Sequence, residues 1–142
     1  MEVHTLHALS DNFMYLLVDT ASKRAACVDP VDADEMVAAA ARLGVIPSLV
    51  LTTHHHYDHA GGNDAMKRLV PGIVVCGGKG EGAQGVTREV SDGETLKLGE
   101  AVTIEALHTP AHTNGHTSYV FRFWTQDVSS SSQLRIYLEI PA

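Results

Sequence analysis

Ser48-Leu49-Val50-Leu51-Thr52-Thr53-His54-His55-His56-Tyr57-Asp58-His59-Ala60-Gly61-Gly62-Asn63 is the stretch on which the fold turns. Its first five residues run through Leu and Val with no charged break, the pattern of a strand buried on both faces. The chain then passes directly into imidazoles and a carboxylate. His54 and His56 stand two apart in a segment expected to be extended, where residues i and i+2 face the same side. Both rings can converge on one ion; on a helix the same spacing would send them to nearly opposite faces. Asp58 and His59 follow as the chain turns, where adjacent side chains diverge, and this suggests a second, neighbouring ion. Carboxylate with imidazole suits zinc, iron or manganese. His55 is expected to face away and to be structural.

A three-ligand site that keeps positions open for water and substrate needs one more imidazole from elsewhere. Thr109-Pro110-Ala111-His112-Thr113-Asn114-Gly115-His116, again just after an expected strand, supplies it. Single histidines are usually surface or core residues, but His54, His56, Asp58 and His59 gathered within six positions have no simple structural explanation. His108 and His116 read as packing residues or supports behind the ligands. His4 and His7 carry no motif.

Around these segments the pattern alternates between strands and helices. Residues 13–18 and 25–28 are short apolar runs separated by turn-forming residues 19–22, and Asp29-Pro30 ends the second run. A helix is expected next: Asp32 is a good N-cap, Glu35 occupies the reciprocal capping-box position, and Gly44 suits the C′ site. Met36, Val37, Ala40 and Leu43 would form its apolar face. Asn63 is expected to cap a second short helix through Leu69, stopped by Pro71-Gly72. The remainder is β-rich, over residues 73–76, 86–90, 94–98, 102–108 and 117–124, with Ser91-Asp92-Gly93 as a hairpin signal. After residue 124 a serine tract leads to an alternating run, residues 134–140, that reads as a strand.

Bulk properties narrow the function classes. With 142 residues the chain is one domain by length, and 44% hydrophobic with 19% charged residues is an ordinary globular balance. The net charge of −7 offers no basic face for nucleic acid or an anionic membrane. An acidic protein that holds an anionic substrate needs local positive charge, which a metal ion supplies. Cys27 and Cys76 lie in apolar runs, form no C-x-x-C pair and read as buried small hydrophobes, a usage that fits the cytosol. No secretory signal or stretch of about 18 apolar residues is present. Gly80-Glu81-Gly82-Ala83-Gln84-Gly85 matches G-x-G-x-x-G literally, but strand and hairpin signals follow it where a dinucleotide fold needs a helix. A flexible loop is expected there. Nothing in the sequence fixes an oligomeric state.

The segment from Thr52 to Asn63 resembles the metal-binding signature of the metallo-β-lactamase superfamily. Asp11-Asn12-Phe13-Met14-Tyr15, Val28-Asp29-Pro30 and Thr109 to His116 narrow the resemblance to the glyoxalase II (hydroxyacylglutathione hydrolase) family, over residues 1–124. The resemblance implies an α+β fold, the αββα sandwich of two sheets covered by helices, of which the first half is present. It implies that His54, His56 and His112 bind a first metal, and that Asp58 and His59 serve a second. Asp58 thereby takes a catalytic as well as a ligating part. Two Zn2+ per chain are implied, with Fe or Mn as alternatives. The implied reaction is attack of a metal-activated hydroxide on S-D-lactoylglutathione, a glutathione thioester, releasing glutathione and D-lactate in methylglyoxal detoxification. The Asp11-Asn12-Phe13 and His59-Ala60-Gly61-Gly62 segments favour this family over a single-iron persulfide dioxygenase or a β-lactamase.

The sequence departs from the family after residue 124. The Gly-Asp pair that would bridge the metals is missing, since Gln126 precedes Asp127, and no histidine follows His116. The helical region that would contact glutathione is missing too. Residues 1–124 are therefore expected to form a partial metal-binding domain, and residues 125–142 a divergent or truncated tail. Two expectations follow: an apolar sheet face left uncovered, and a second metal site too poor in ligands. The competing reading is a metal-binding fragment with weak or no turnover.

Overall fold

The computed structural model describes residues 1–124 and 133–138. Its first sheet takes β1 (Glu2–Ala8), β2 (Asn12–Asp19), β3 (Arg24–Val28), β4 (Ile46–Thr52), β5 (Val74–Gly78) and β6 (Arg88–Val90), side by side in chain order. β1, β2 and β3 pair antiparallel, whereas β3–β4, β4–β5 and β5–β6 are parallel. Parallel neighbours need a crossover. α1 (Ala33–Leu43) and α3 (Asn63–Leu69) provide the first two, with the single turn α2 (Tyr57–Ala60) just ahead of α3. The second sheet is antiparallel, in the order β10 (Gln133–Leu138), β9 (Thr117–Trp124), β8 (Val102–His108), β7 (Thr95–Leu98).

Side-chain alternation along the strands builds two cores. In β3, Ala25 and Cys27 face the helices, and in β4 so does Val50; Met36, Ala39, Ala40 and Met66 meet them there. Ala26, Val28 and Leu51 point the other way, against Leu98, Ile104, Tyr119 and Phe121 of the second sheet. Phe121 is fully buried. Truncating such an aromatic typically costs about 3–5 kcal/mol.

α1 starts as expected: the Asp32 side chain accepts from the Glu35 amide, and Gly44 closes the helix in the left-handed conformation at φ 66°. The capping box is only half formed, because the Glu35 carboxylate takes Arg42 Nη2 at 2.6 Å instead. The buried face is Ala33, Met36, Ala39 and Ala40; Leu43 is exposed, a correction to the expected face. Asn63 does not cap α3. It lies inside the helix, and its buried side chain donates to Thr52 Oγ1 and the Gln84 carbonyl.

Ser91-Asp92-Gly93 makes a turn, with Glu94 N donating to the Ser91 carbonyl and Gly93 at φ 75°. It is not a hairpin, however, since β6 belongs to one sheet and β7 to the other. Of the run expected at 134–140, residues 134–138 belong to a strand, β10, which pairs with β9. Residues 125–132 and 139–142 of the expected tail lie outside the described residues.

Among the described residues no helix covers the outer face of the second sheet, so three layers of an αββα arrangement are seen. That face is mixed in character. Strand parity points Leu107 and Val120 outward along with Thr95, Lys97, Thr103, Glu105, Ser118 and Arg122. Lys97 donates to Thr103, and Arg122 pairs with Glu105.

Candidate metal centre

β4 and β8 end at the same edge of the sandwich, which sets their following loops side by side. Thr117 N donates to the Thr53 carbonyl at 2.9 Å and Tyr119 Oη to the Thr52 carbonyl at 2.9 Å, so the sheets are tied together beneath the loops. β4 stops at Thr52, and residues 53–56 continue as extended loop into α2. That suffices to put the rings of His54 and His56 on one side, with centroids 4.8 Å apart.

His112 arrives from the other loop. His112 Nε2 lies 2.9 Å from His56 Nδ1, and its ring stands edge-on to His54 at 4.8 Å. The candidate ligand atoms of His54, His56 and His112 all fall within 4.8 Å of one another. His59 and Asp58 occupy the flank: His59 Nε2 is 3.4 Å from Asp58 Oδ2, and the His59 ring is 4.2 Å from that of His54.

The hydrogen bonds fix which nitrogen the His54 and His59 rings offer. Asp29 Oδ2 accepts from Thr53 Oγ1 at 2.6 Å, so the Thr53 hydroxyl proton is committed there. The Thr53 oxygen must then accept from His54 Nδ1, 2.9 Å away, which makes Nε2 the unprotonated atom of a neutral His54. That Nε2 is buried and has no hydrogen-bond partner. Burial, reinforced by the neighbouring His59, pushes the His54 pKa down to about 4, so the ring stays neutral at physiological pH. A buried lone pair of this kind costs stability unless something accepts its electrons. Beside two more imidazole nitrogens it fits a divalent cation. The donor set, neutral nitrogen with carboxylate close by, is compatible with zinc and equally with iron or manganese.

In the sequence Asp29 reads only as the end of a strand within Val28-Asp29-Pro30, yet it organises this half of the centre. Besides the Thr53 hydroxyl it accepts from Thr53 N at 2.8 Å and from His59 Nδ1 at 2.9 Å. The His59 bond leaves Nε2 free on the side where Asp58 sits. Asp29, His54 and His59 also lie within 4.8 Å of one another, but with three donors already on its two oxygens Asp29 is a support rather than a ligand. Asp29 holds a left-handed backbone, φ 46°, at the end of β3. The same logic accounts for Asn12, whose Nδ2 donates to the Asp58 carbonyl at 2.7 Å and to Asp58 Oδ2 at 3.1 Å. That bond is the main reason the Asp58 carboxyl titrates below the ordinary range.

Gly62 has a steric reason: a Cβ there would run into the Pro30 carbonyl. The turn carrying Asp29 can thus rest against the junction of α2 and α3. His116 is mostly buried, its Nδ1 3.0 Å from Thr109 Oγ1, and the exposed His108 donates through Nε2 to the Asn114 carbonyl at 2.7 Å. His55 does not simply face away. Its ring packs edge-on to His56 at 4.7 Å and donates through Nδ1 to Glu81 Oε1 at 2.7 Å. Linear sequence gave no warning of Glu81.

No family model matches the chain. Over 119 residues it is 47% identical to "Hydroxyacylglutathione hydrolase cytoplasmic" of Arabidopsis thaliana, covering 84% of this chain and 46% of that protein. Over 127 residues it is 40% identical to the human "Hydroxyacylglutathione hydrolase-like protein", covering 89% and 42%. The chain thus spans about half the length of the curated relatives it matches. Among solved structures, ETHE1 from Myxococcus xanthus superposes with a TM-score of 0.77 at 28% identity, over 85% of this chain and 54% of that one. The BLEG-1 B3 metallo-β-lactamase superposes at 0.72 with 23% identity, over 83% and 66%, a likeness of fold alone. The chain is a partial-length relative of the hydroxyacylglutathione hydrolases, built on part of the metallo-β-lactamase fold.

Proposed function

We propose that the chain holds a divalent metal ion, zinc by preference, on His54, His56 and His112, and serves hydrolysis of a glutathione thioester such as S-D-lactoylglutathione. The observation that carries this reading is the buried, unpartnered His54 Nε2 beside the His56–His112 nitrogen pair. A divalent ion bound there supplies Lewis-acid chemistry, making water nucleophilic near neutral pH and polarising the carbonyl under attack. The protein's part is orientation. Asp29 and Thr53 keep His54 and His59 in the tautomers that present Nε2. Asp58, ionised and steered by Asn12, is the carboxylate placed to accept a hydrogen bond from the attacking water. In the reaction a C–O bond forms and the thioester C–S bond breaks. A thiol pKa of about 8.5 lets glutathione leave as thiolate without a strong acid.

Asp58 and His59 are proposed as the start of a second metal position. Only these two side chains present free ligand atoms there among the described residues, which favours a second reading: a chain that holds one ion tightly and turns over slowly or not at all. We take residues 1–124 as the partial metal-binding domain and residues 125–142 as a divergent tail, from which β10 joins the second sheet beside β9. A cytoplasmic location is proposed from the name of the Arabidopsis relative. No helix among the described residues is long and apolar enough to cross a membrane.

The test is release of D-lactate and free thiol from S-D-lactoylglutathione by the Zn2+-loaded chain, before and after chelation. Turnover that disappears on chelation and in His54→Ala supports the hydrolase. A loaded chain with one bound ion and no thioesterase activity leaves the second reading standing and refutes the first.

A further inference from the structure

We infer that Glu81 is a positioning residue of the metal centre, its buried carboxylate fastening the loop that carries His54 and His56 to the loop that carries His112. The inference rests on the metal site proposed above. Each oxygen serves one loop. Glu81 Oε1 accepts from the His55 amide at 2.9 Å and from His55 Nδ1 at 2.7 Å. Glu81 Oε2 accepts from the Gly115 amide at 2.8 Å. His55 stands between two of the proposed ligands, and Gly115 lies on the same loop as the third. The sheets below already meet through Thr53 and Thr117, so Glu81 is the tie that extends this link out towards the ligand tips.

The glycine-rich run at residues 80–85 is shaped around this one side chain. Gly80 and Gly82 flank it with φ of 78° and 70°, conformations that let the chain dip and deliver a single carboxylate inward. A Cβ at Gly115 would sit 2.5 Å from Glu81 Oε2, and one at Gly78 would sit 2.5 Å from the Gly115 carbonyl. Both glycines are therefore required for the approach. The Glu81 side chain is 3% exposed. Burial alone would raise its pKa, but the bonds from the His55 amide and ring outweigh it, and the group titrates below the ordinary range. Only a carboxylate meets the demand. Three donors converge on it, and a glutamine amide would turn its NH2 against one of them. The run expected to be a flexible loop is instead a built strap.

His112 is exposed, and among the described residues its ring has a single hydrogen-bonding neighbour, His56. Its distance from His54 and His56 therefore depends on where its loop is held. Outer partners of metal ligands typically contribute about 10–100-fold in metal affinity. Glu81→Gln in the 142-residue chain is expected to weaken Zn2+ binding about 10-fold, and Glu81→Ala towards 100-fold. The visible absorption band of the Co2+-substituted variants should shift. In the metal-free chain, amide hydrogen exchange should accelerate at His55 and Gly115 together. Glu89→Gln removes a carboxylate that meets the same run at the Gly80 amide, outside the clamp, and should change none of these.

A carboxylate that only stabilised the fold would lower the melting temperature and leave Zn2+ affinity and the Co2+ band of the folded chain at wild-type values. That result overturns the inference. So does faster exchange at only one of the two amides. A wild-type chain that binds no Zn2+ overturns the metal centre itself, and this inference with it. Variants that bind Zn2+ as tightly as a competent wild type overturn this inference alone.

Discussion

The two loops that meet at the centre are built in opposite ways. The loop after β4 is wired from within: His54 is buried, its tautomer fixed through Thr53 to Asp29, and Asp29 holds His59 as well. The loop after β8 carries an exposed His112, and Glu81 secures it from outside. One half of the centre is thus part of the folded core. The other half is brought to it. The difference predicts that mutations on the first side act on folding and on metal together, whereas loss of the exposed His112 ring on the second acts on metal alone.

Asp29→Ala should break the comparison most severely. It strips the acceptor from Thr53 N, Thr53 Oγ1 and His59 Nδ1 in a buried setting, and losses of this type reach about 3–5 kcal/mol. Urea denaturation of the metal-free chain measures it, and a loss below about 1 kcal/mol would remove Asp29 from its organising position. Gly62→Ala forces a methyl against the Pro30 carbonyl and pushes apart the turn and helix that carry Asp29 and His59. Overpacking of this kind costs about 1–3 kcal/mol, read in the same denaturation experiment.

His112→Ala should sharpen the contrast from the other side. An exposed ring leaves little behind, so metal-free stability should stay within about 0.5 kcal/mol of wild type. Zn2+ should then raise the melting temperature much less than in the wild type. A large loss of stability without metal would show that the β8 loop is core after all. The smallest effect concerns the platform. Burial pushes the Cys27 thiol up to about 12 and the Cys76 thiol up to about 11, the latter against the opposing charge of Arg88. These residues lie in β3 and β5, on either side of the strand that leads to His54. Both should ignore a thiol-specific reagent at pH 8 until the chain unfolds, with labelling followed by mass spectrometry. Rapid labelling of Cys27 in the folded chain would mean that the platform opens.

What the sequence made legible was local or periodic. The buried strand into His54, the two-residue spacing to His56 and the caps of α1 are read from neighbours in the chain, and the structure places each in that setting. His112 was legible because its loop repeats the strand-then-histidine pattern. The supports were not, since their partners are remote. Glu81 meets residues 26 and 34 positions away, and Asp29 meets His59 across 30. Asn63 looked like a cap because Asn favours that position, but a buried bond to Thr52 outweighed the local preference. Ser91-Asp92-Gly93 makes the turn its residues favour, and only tertiary packing sends the next strand to the other sheet. The mixed outer face of the second sheet, with Leu107 and Val120 among polar residues, follows from strand parity, which required the register.

X-ray absorption of the chain loaded with one equivalent of Zn2+ asks most directly whether these rings share an ion. The account predicts a first shell at about 2.0–2.1 Å with the outer scattering of three imidazoles, reduced by one ring in His112→Ala. A shell without imidazole scattering, or one unchanged by loss of residue 112, would contradict it.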